Sequence, residues 1–202
     1  MRTRNLAFAS VAIAAMGIVS VATPAQAAAG RAQAAKVDRH CVTNVENAST
    51  TCYGSFTEAV AKATDGRVTD APAQAQTAMN DRRLDAQLNA SNTKKSGGVT
   101  TANRAAAADV VIGIEFDGSY RGGDSLTYTA SRLCTGSVTD REFSVASMSS
   151  RWNDDIGSYR AYGNCWAKHF EHNNFGGNST PFHSGQDDMG GMEDETSSIQ
   201  WS

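Results

Sequence analysis

The sequence predicts an all-β fold for residues 109–202, an antiparallel sandwich of eight short strands in two similar halves. Two observations predict it. An ordered pattern recurs: Phe116, Tyr120 and Gly122-Gly123 precede an acidic-serine run at 153–158, and Phe170, Phe175 and Gly176-Gly177 precede a second run at 193–198. Between these landmarks lie short segments rich in β-branched and aromatic residues, some alternating with period two and separated by Asp, Gly and Ser turns.

Taken in order, residues 1–27 read as a secretory signal peptide. Arg2 and Arg4 precede an apolar run from Leu6 to Val21, and Ala25-Gln26-Ala27 offers a cleavage site. The run is short for a spanning helix, so no membrane association is expected once the signal is removed. Residues 28–90 form an N-terminal accessory segment, alanine-rich and disordered at first. A small hairpin over 40–53 follows, then a short helix from Phe56 to about Gly66, started by a capping box at Ser55 and Glu58. Residues 71–90 favour helix, but with only Met79, Leu84 and Leu88 as large apolar residues they would bury little alone. Residues 91–108 read as a linker around Lys94-Lys95-Ser96-Gly97-Gly98.

Within 109–202, residues 110–116 open the first half as a strand rich in β-branched residues. Segments 125–129, 142–146 and 158–162 follow as its other strands. The second half opens at 165–170 and is less regular after Pro181, where Gly185, Gly190 and Gly191 lengthen the loops.

Export places Cys41, Cys52, Cys134 and Cys165 where disulfides persist. Four cysteines allow three pairings. The favoured one joins Cys41 to Cys52 and Cys134 to Cys165, because each pair then lies inside one folding unit. Residues 109–202 carry fourteen Asp and Glu against six Lys and Arg, a balance of −8. An acidic domain without a basic patch argues against a nucleic-acid partner and is compatible with a bound cation. No Gly-x-Ser-x-Gly elbow or other catalytic signature occurs, so an enzyme is not expected.

The double pattern resembles the βγ-crystallin superfamily, whose Greek-key motif runs aromatic, four residues, aromatic, any residue, glycine, and later a serine. Phe170, Phe175, Gly177 and Ser198 match in register, and Phe116, Tyr120, Gly122 and Ser158 match with the hairpin one residue short. The resemblance covers 109–202. It implies an all-β chain in which two Greek-key motifs form a βγ-crystallin-like sandwich, preceded by a small, partly helical or disordered N-terminal segment.

Microbial members of this superfamily carry a calcium motif of two Asn or Asp, two variable residues, Ser or Thr, and Ser. Ca²⁺ takes six to eight hard oxygen ligands, which such a turn supplies. The resemblance implies Asn153, Asp154 and Asp155 as ligands from the first copy, and Glu193, Asp194, Glu195 and Ser197 from the second. Asp117 and Glu171 would come from the paired hairpins. Gly157 stands where the first copy should carry a hydroxyl, so two unequal Ca²⁺ sites are expected, with Gly157→Ser strengthening the weaker. Ser158 and Ser198 resemble the serine that ties down the folded hairpin, a structural role.

The expected function is a secreted, extracellular calcium-binding structural module, with calcium ions as partner. The alternative is a proteinase inhibitor, because a secreted metalloproteinase inhibitor shares the crystallin fold. Its protease-facing loops would be 135–141 or 185–192.

Overall fold

The computed structural model describes residues 38–96 and 109–202. The expected signal peptide, the alanine-rich stretch 28–37 and the later part of the expected linker, 97–108, lie outside the described residues. Among the described residues, ten strands form two sheets. Strands β1 (His40–Asn44) and β2 (Thr50–Tyr53) precede three helices, α1 (Phe56–Ala63), α2 (Ala75–Met79) and α3 (Arg82–Ser96). Strands β3 (Val110–Phe116), β4 (Ser125–Ala130), β5 (Phe143–Val145) and β6 (Ser158–Ala161) make the first repeat. The second comprises β7 (Ala167–His172), β8 (Gly176–Ser179), β9 (Gly185–Gln186) and β10 (Ser198–Trp201).

The two repeats exchange their third strands. One sheet has the order β2-β1-β4-β3-β6-β9 and the other β5-β10-β7-β8, so β5 pairs with β10 of the second repeat and β9 with β6 of the first. This is a βγ-crystallin-like Greek-key fold, and the exchange makes each repeat part of its partner's sheet. Between the sheets lies one core, in which Tyr128, Tyr159 and Ile112 face Ile199, Trp201 and Ala167.

The all-β expectation is overturned, because the N-terminal segment is built into the fold. Strand β1 adds to the first sheet in parallel with β4, pairing His40 with Ser125 through to Asn44 with Thr129. The helices cover that sheet's outer face, where Phe56, Val60, Leu84 and Leu88 join Val111, Ile114, Phe116 and Tyr162 in a second core. The physical reason is the composition of β3: its seven residues are all buried, with a register shift between Val111 and Gly113, so it offers apolar side chains to both faces. Covering the second face with large side chains stabilises by about 1.5–3 kcal/mol for each one fully buried. The chain is thus a mixed sheet with helices rather than a clean double Greek-key sandwich.

Local signals act as expected in α1. Ser55 accepts a hydrogen bond from the Glu58 amide at its start, and Thr64 caps its end. The disulfides join Cys41 to Cys52 across β1 and β2, and Cys134 to Cys165 between the loop after β4 and the approach to β7.

Candidate functional site

Each repeat carries a hairpin folded back on itself. In the first, Tyr120, Arg121 and Gly123 have φ of 55°, 64° and 76°; in the second, Asn174, Phe175 and Gly177 have φ of 57°, 65° and 76°. Two consecutive non-glycine residues in the left-handed region are disfavoured and need an external hold. Ser158 supplies it in the first repeat, where its hydroxyl accepts from the Arg121 amide at 2.9 Å and donates to the Gly118 carbonyl at 2.6 Å. Ser198 does the same in the second, accepting from Phe175 at 3.0 Å and donating to His172 at 2.6 Å.

This geometry corrects the motif register. Arg121, not Tyr120, occupies the position of Phe175, and Gly123, not Gly122, that of Gly177, so the first hairpin is not one residue short. Tyr120 is instead 64% exposed on the turn. At Gly177 a Cβ would lie 2.9 Å from the Glu171 Cβ, and at Gly123 it would collide with the Asp117 carboxylate, so both positions need glycine for space as well as for φ.

The two acidic loops clasp each other. The Asp154 amide donates to the Thr196 carbonyl at 3.0 Å, and the Asp194 amide to the Ile156 carbonyl at 3.1 Å. Asp154 and Asp194 share a φ of 56°, and the Gly157 and Ser197 amides donate equivalently to Phe116 and Phe170. The candidate residues of both motifs therefore meet across a local pseudo-twofold axis.

Their side chains are engaged unequally. Ser197 Oγ donates to Asp154 Oδ1 at 3.2 Å, and Asn153 Nδ2 donates to Asp154 Oδ2 at 2.6 Å. Glu171 Oε2 accepts from the Asn178 amide at 2.8 Å, and Glu193 Oε1 from Ser119 Oγ at 2.5 Å. Glu195 is exposed. Partial burial, then the carboxylates of Asp155 and Glu193, hold the Asp194 carboxyl above its usual range. Around Asp117 and Asp155 the arrangement differs, because Arg151 enters it. Its guanidinium pairs with Asp155 at 2.5 Å, with Asp117 at 3.6 Å and with Asp124. Sequence reasoning missed Arg151, although its spacing of four from Asp155 was a readable signal.

Gly157 is required by packing. A Cβ there would lie 2.8 Å from Gly118 C and Ser119 N, so the first hairpin sits against the backbone where the second repeat has room for Ser197. The close approach therefore leaves no room for the side chain that Gly157→Ser would add. Among the described residues no group of three or more His, Cys, Asp or Glu side chains converges as a metal cage. A calcium ion at Asp154 and Ser197 would have to draw further oxygens from backbone carbonyls and water, whereas the Asp117 and Asp155 side already holds a cation of the protein's own.

Among solved structures, the chain is similar to one concerned with the evolution of the eye lens βγ-crystallin domain fold, at 21% identity over 52% of this chain and 93% of that one, with a TM-score of 0.35. It is also similar to a βγ-crystallin domain from Flavobacterium johnsoniae, at 23% identity over 45% and 93% of the chains and a TM-score of 0.33. A βγ-crystallin from an archaeon follows at 17% identity, covering 46% and 98%, with a TM-score of 0.32. No protein-family model and no curated protein matches the chain.

Proposed function

We propose that this chain is an exported, non-catalytic structural module that binds one calcium ion where Asp154 and Ser197 meet. The observation that carries the reading is the Ser197 Oγ contact with Asp154 Oδ1 at 3.2 Å, which brings a hydroxyl and a carboxylate together from the two clasped loops. Among the described residues Asp154 is in no ion pair, so a cation there would compete with no guanidinium. At Asp117 and Asp155 it would have to displace Arg151.

Calorimetric titration of the chain from Ala28 to Ser202 tests the proposal. One binding event is expected, with Ser197→Ala weakening it and Arg151→Ala adding a second. Calcium bound only to the folded state stabilises by about 2.7 kcal/mol at a hundredfold excess over Kd, so the melting temperature should rise by several degrees. No heat and no shift at millimolar calcium would rule the reading out.

A second reading, proteinase inhibition, is favoured by one loop. Val138 is 49% exposed at the tip of residues 135–141. The loop follows Cys134 of the Cys134–Cys165 disulfide, and the Thr135 amide donates to Glu142 Oε2 at 2.7 Å. The Ser202 hydroxyl lies 2.5 Å from the Ser137 carbonyl and also against that of Asp140. A braced loop with an apolar tip suits insertion into a protease cleft, because little ordering entropy remains to be lost on binding. The other loop is a poorer candidate, since Met189 and Met192 anchor it in the core. If none of a panel of secreted metallo- and serine proteases is slowed, this reading fails.

A further inference from the structure

An open groove of about 480 Å³ lies between α3, the first folded hairpin and the turns flanking β6 and β9. Its volume is in the range of small-molecule sites. Trp166 lines it and is 38% exposed, whereas Trp152 and Trp201 are 2% and 0% exposed. The backbone of Trp166 is fixed at this surface by reciprocal hydrogen bonds with Ser202, at 2.8 and 3.0 Å. Trp166 is thus the large, part-exposed aromatic residue of a groove lined mainly by polar side chains and backbone.

The charges of the groove select its ligand. Arg121 pairs with Asp187, and Arg160 with Asp85 at 2.5 Å, so both guanidinium groups are locally neutralised. An anion would have to displace a carboxylate and a cation a guanidinium, while a purely apolar ligand would strip water from paired charges without replacing its hydrogen bonds. A neutral polyol avoids all three penalties, since each hydroxyl both donates and accepts.

We propose that this groove binds a neutral oligosaccharide, with Trp166 stacking on a pyranose face and Arg121, Asn164 and Asp187 meeting its hydroxyls. The site is independent of the calcium reading, sharing no residue with Asp154 or Ser197. It also gives the N-terminal segment a part in binding, because Asn89 of α3 forms one wall and Asp85 of α3 pairs with Arg160.

The test is titration of the intact chain with tetraoses of N-acetylglucosamine, glucose, xylose and mannose, and separately with inorganic phosphate. Trp166 is the exposed one of the chain's three tryptophans, so its contribution to the emission is the one a ligand in the groove should change. At least one tetraose should change that emission saturably at millimolar concentrations. Calorimetry should show the affinity reduced at least about tenfold in Trp166→Ala and largely restored in Trp166→Phe, with both variants folded at the temperature of the titration. The proposal is overturned if no tetraose binds, if affinity survives in Trp166→Ala, or if phosphate binds in place of the sugars.

Discussion

Glu115 Oε2 and His169 Nε2 lie 3.0 Å apart with both side chains fully buried, one on β3 and the other on β7 of the facing sheet. Tyr159 stacks beside the imidazole at 4.1 Å between ring centroids. Burial, then the Glu115 carboxylate, push the Tyr128 and Tyr159 hydroxyls above their usual range. A buried pair of this kind contributes little to stability over an apolar pair of similar volume, but removing one partner leaves a polar group uncompensated. Its position, joining strands from both repeats, fits a role in fixing how the sheets face each other. His169→Leu or Glu115→Leu alone should cost about 3–5 kcal/mol, and the double substitution much less than the sum of the two. Urea denaturation of the four proteins measures the coupling, and simple additivity would refute it.

The serine latches give a residue-specific prediction. Each hydroxyl both accepts and donates within one hairpin, so Ser158→Ala and Ser198→Ala should each cost about 1–3 kcal/mol. The effect is local. Amide exchange should accelerate at Arg121 in Ser158→Ala and at Phe175 in Ser198→Ala, with little change at the other hairpin. Equal acceleration of both amides in either variant would mean that the hairpins open as one unit.

These latches were legible in the sequence because the same residue types recur in the same order in both repeats, although serine and hairpin amide lie 37 residues apart in the first and 23 in the second. The register of the first hairpin was misread for a related reason: Tyr120 is an aromatic one residue away from the structural position, which Arg121 fills. The repeat marked the two acidic loops as related, but neither their clasp nor the guanidinium beside it was readable, since both are set by tertiary packing. The role of the N-terminal segment was the larger omission. Pairing of His40 with Ser125 joins residues 85 apart, and no local period encodes it. The unread clue was β3 itself, whose near-continuous apolar run signals a strand covered on both faces.

Gly157 supplies a third test. Because a Cβ would meet the backbone of Gly118 and Ser119, Gly157→Ala should displace the first hairpin and destabilise by about 1–3 kcal/mol, in the range of other overpacking changes. Gly157→Ser should do the same without improving calcium affinity. A Gly157→Ser protein of native stability, measured by denaturant unfolding, would contradict the close approach.

The last prediction concerns pH. His40 is 2% exposed at the seam between β1 and β4, with Nδ1 2.9 Å from Ser125 Oγ and its ring edge-on to Phe56 at 5.6 Å between centroids. Burial lowers its pKa from the ordinary 6.5, while Asp38 and Asp124 oppose the shift without cancelling it. The sign follows from proton linkage: below that ordinary value the unfolded chain binds a proton that the folded chain resists, so protonation favours unfolding. The stability linked to His40 is therefore fully present above pH 6.5 and declines as pH falls toward the lowered folded value. His40→Gln should be less stable at neutral pH, having lost the fitted ring, yet lose less of its melting temperature between about pH 7.5 and 5.5. That window lies above the ordinary carboxylate range, so the difference in slope isolates the imidazole. Parallel melting curves for the two proteins across it would show that His40 does not carry the acid response.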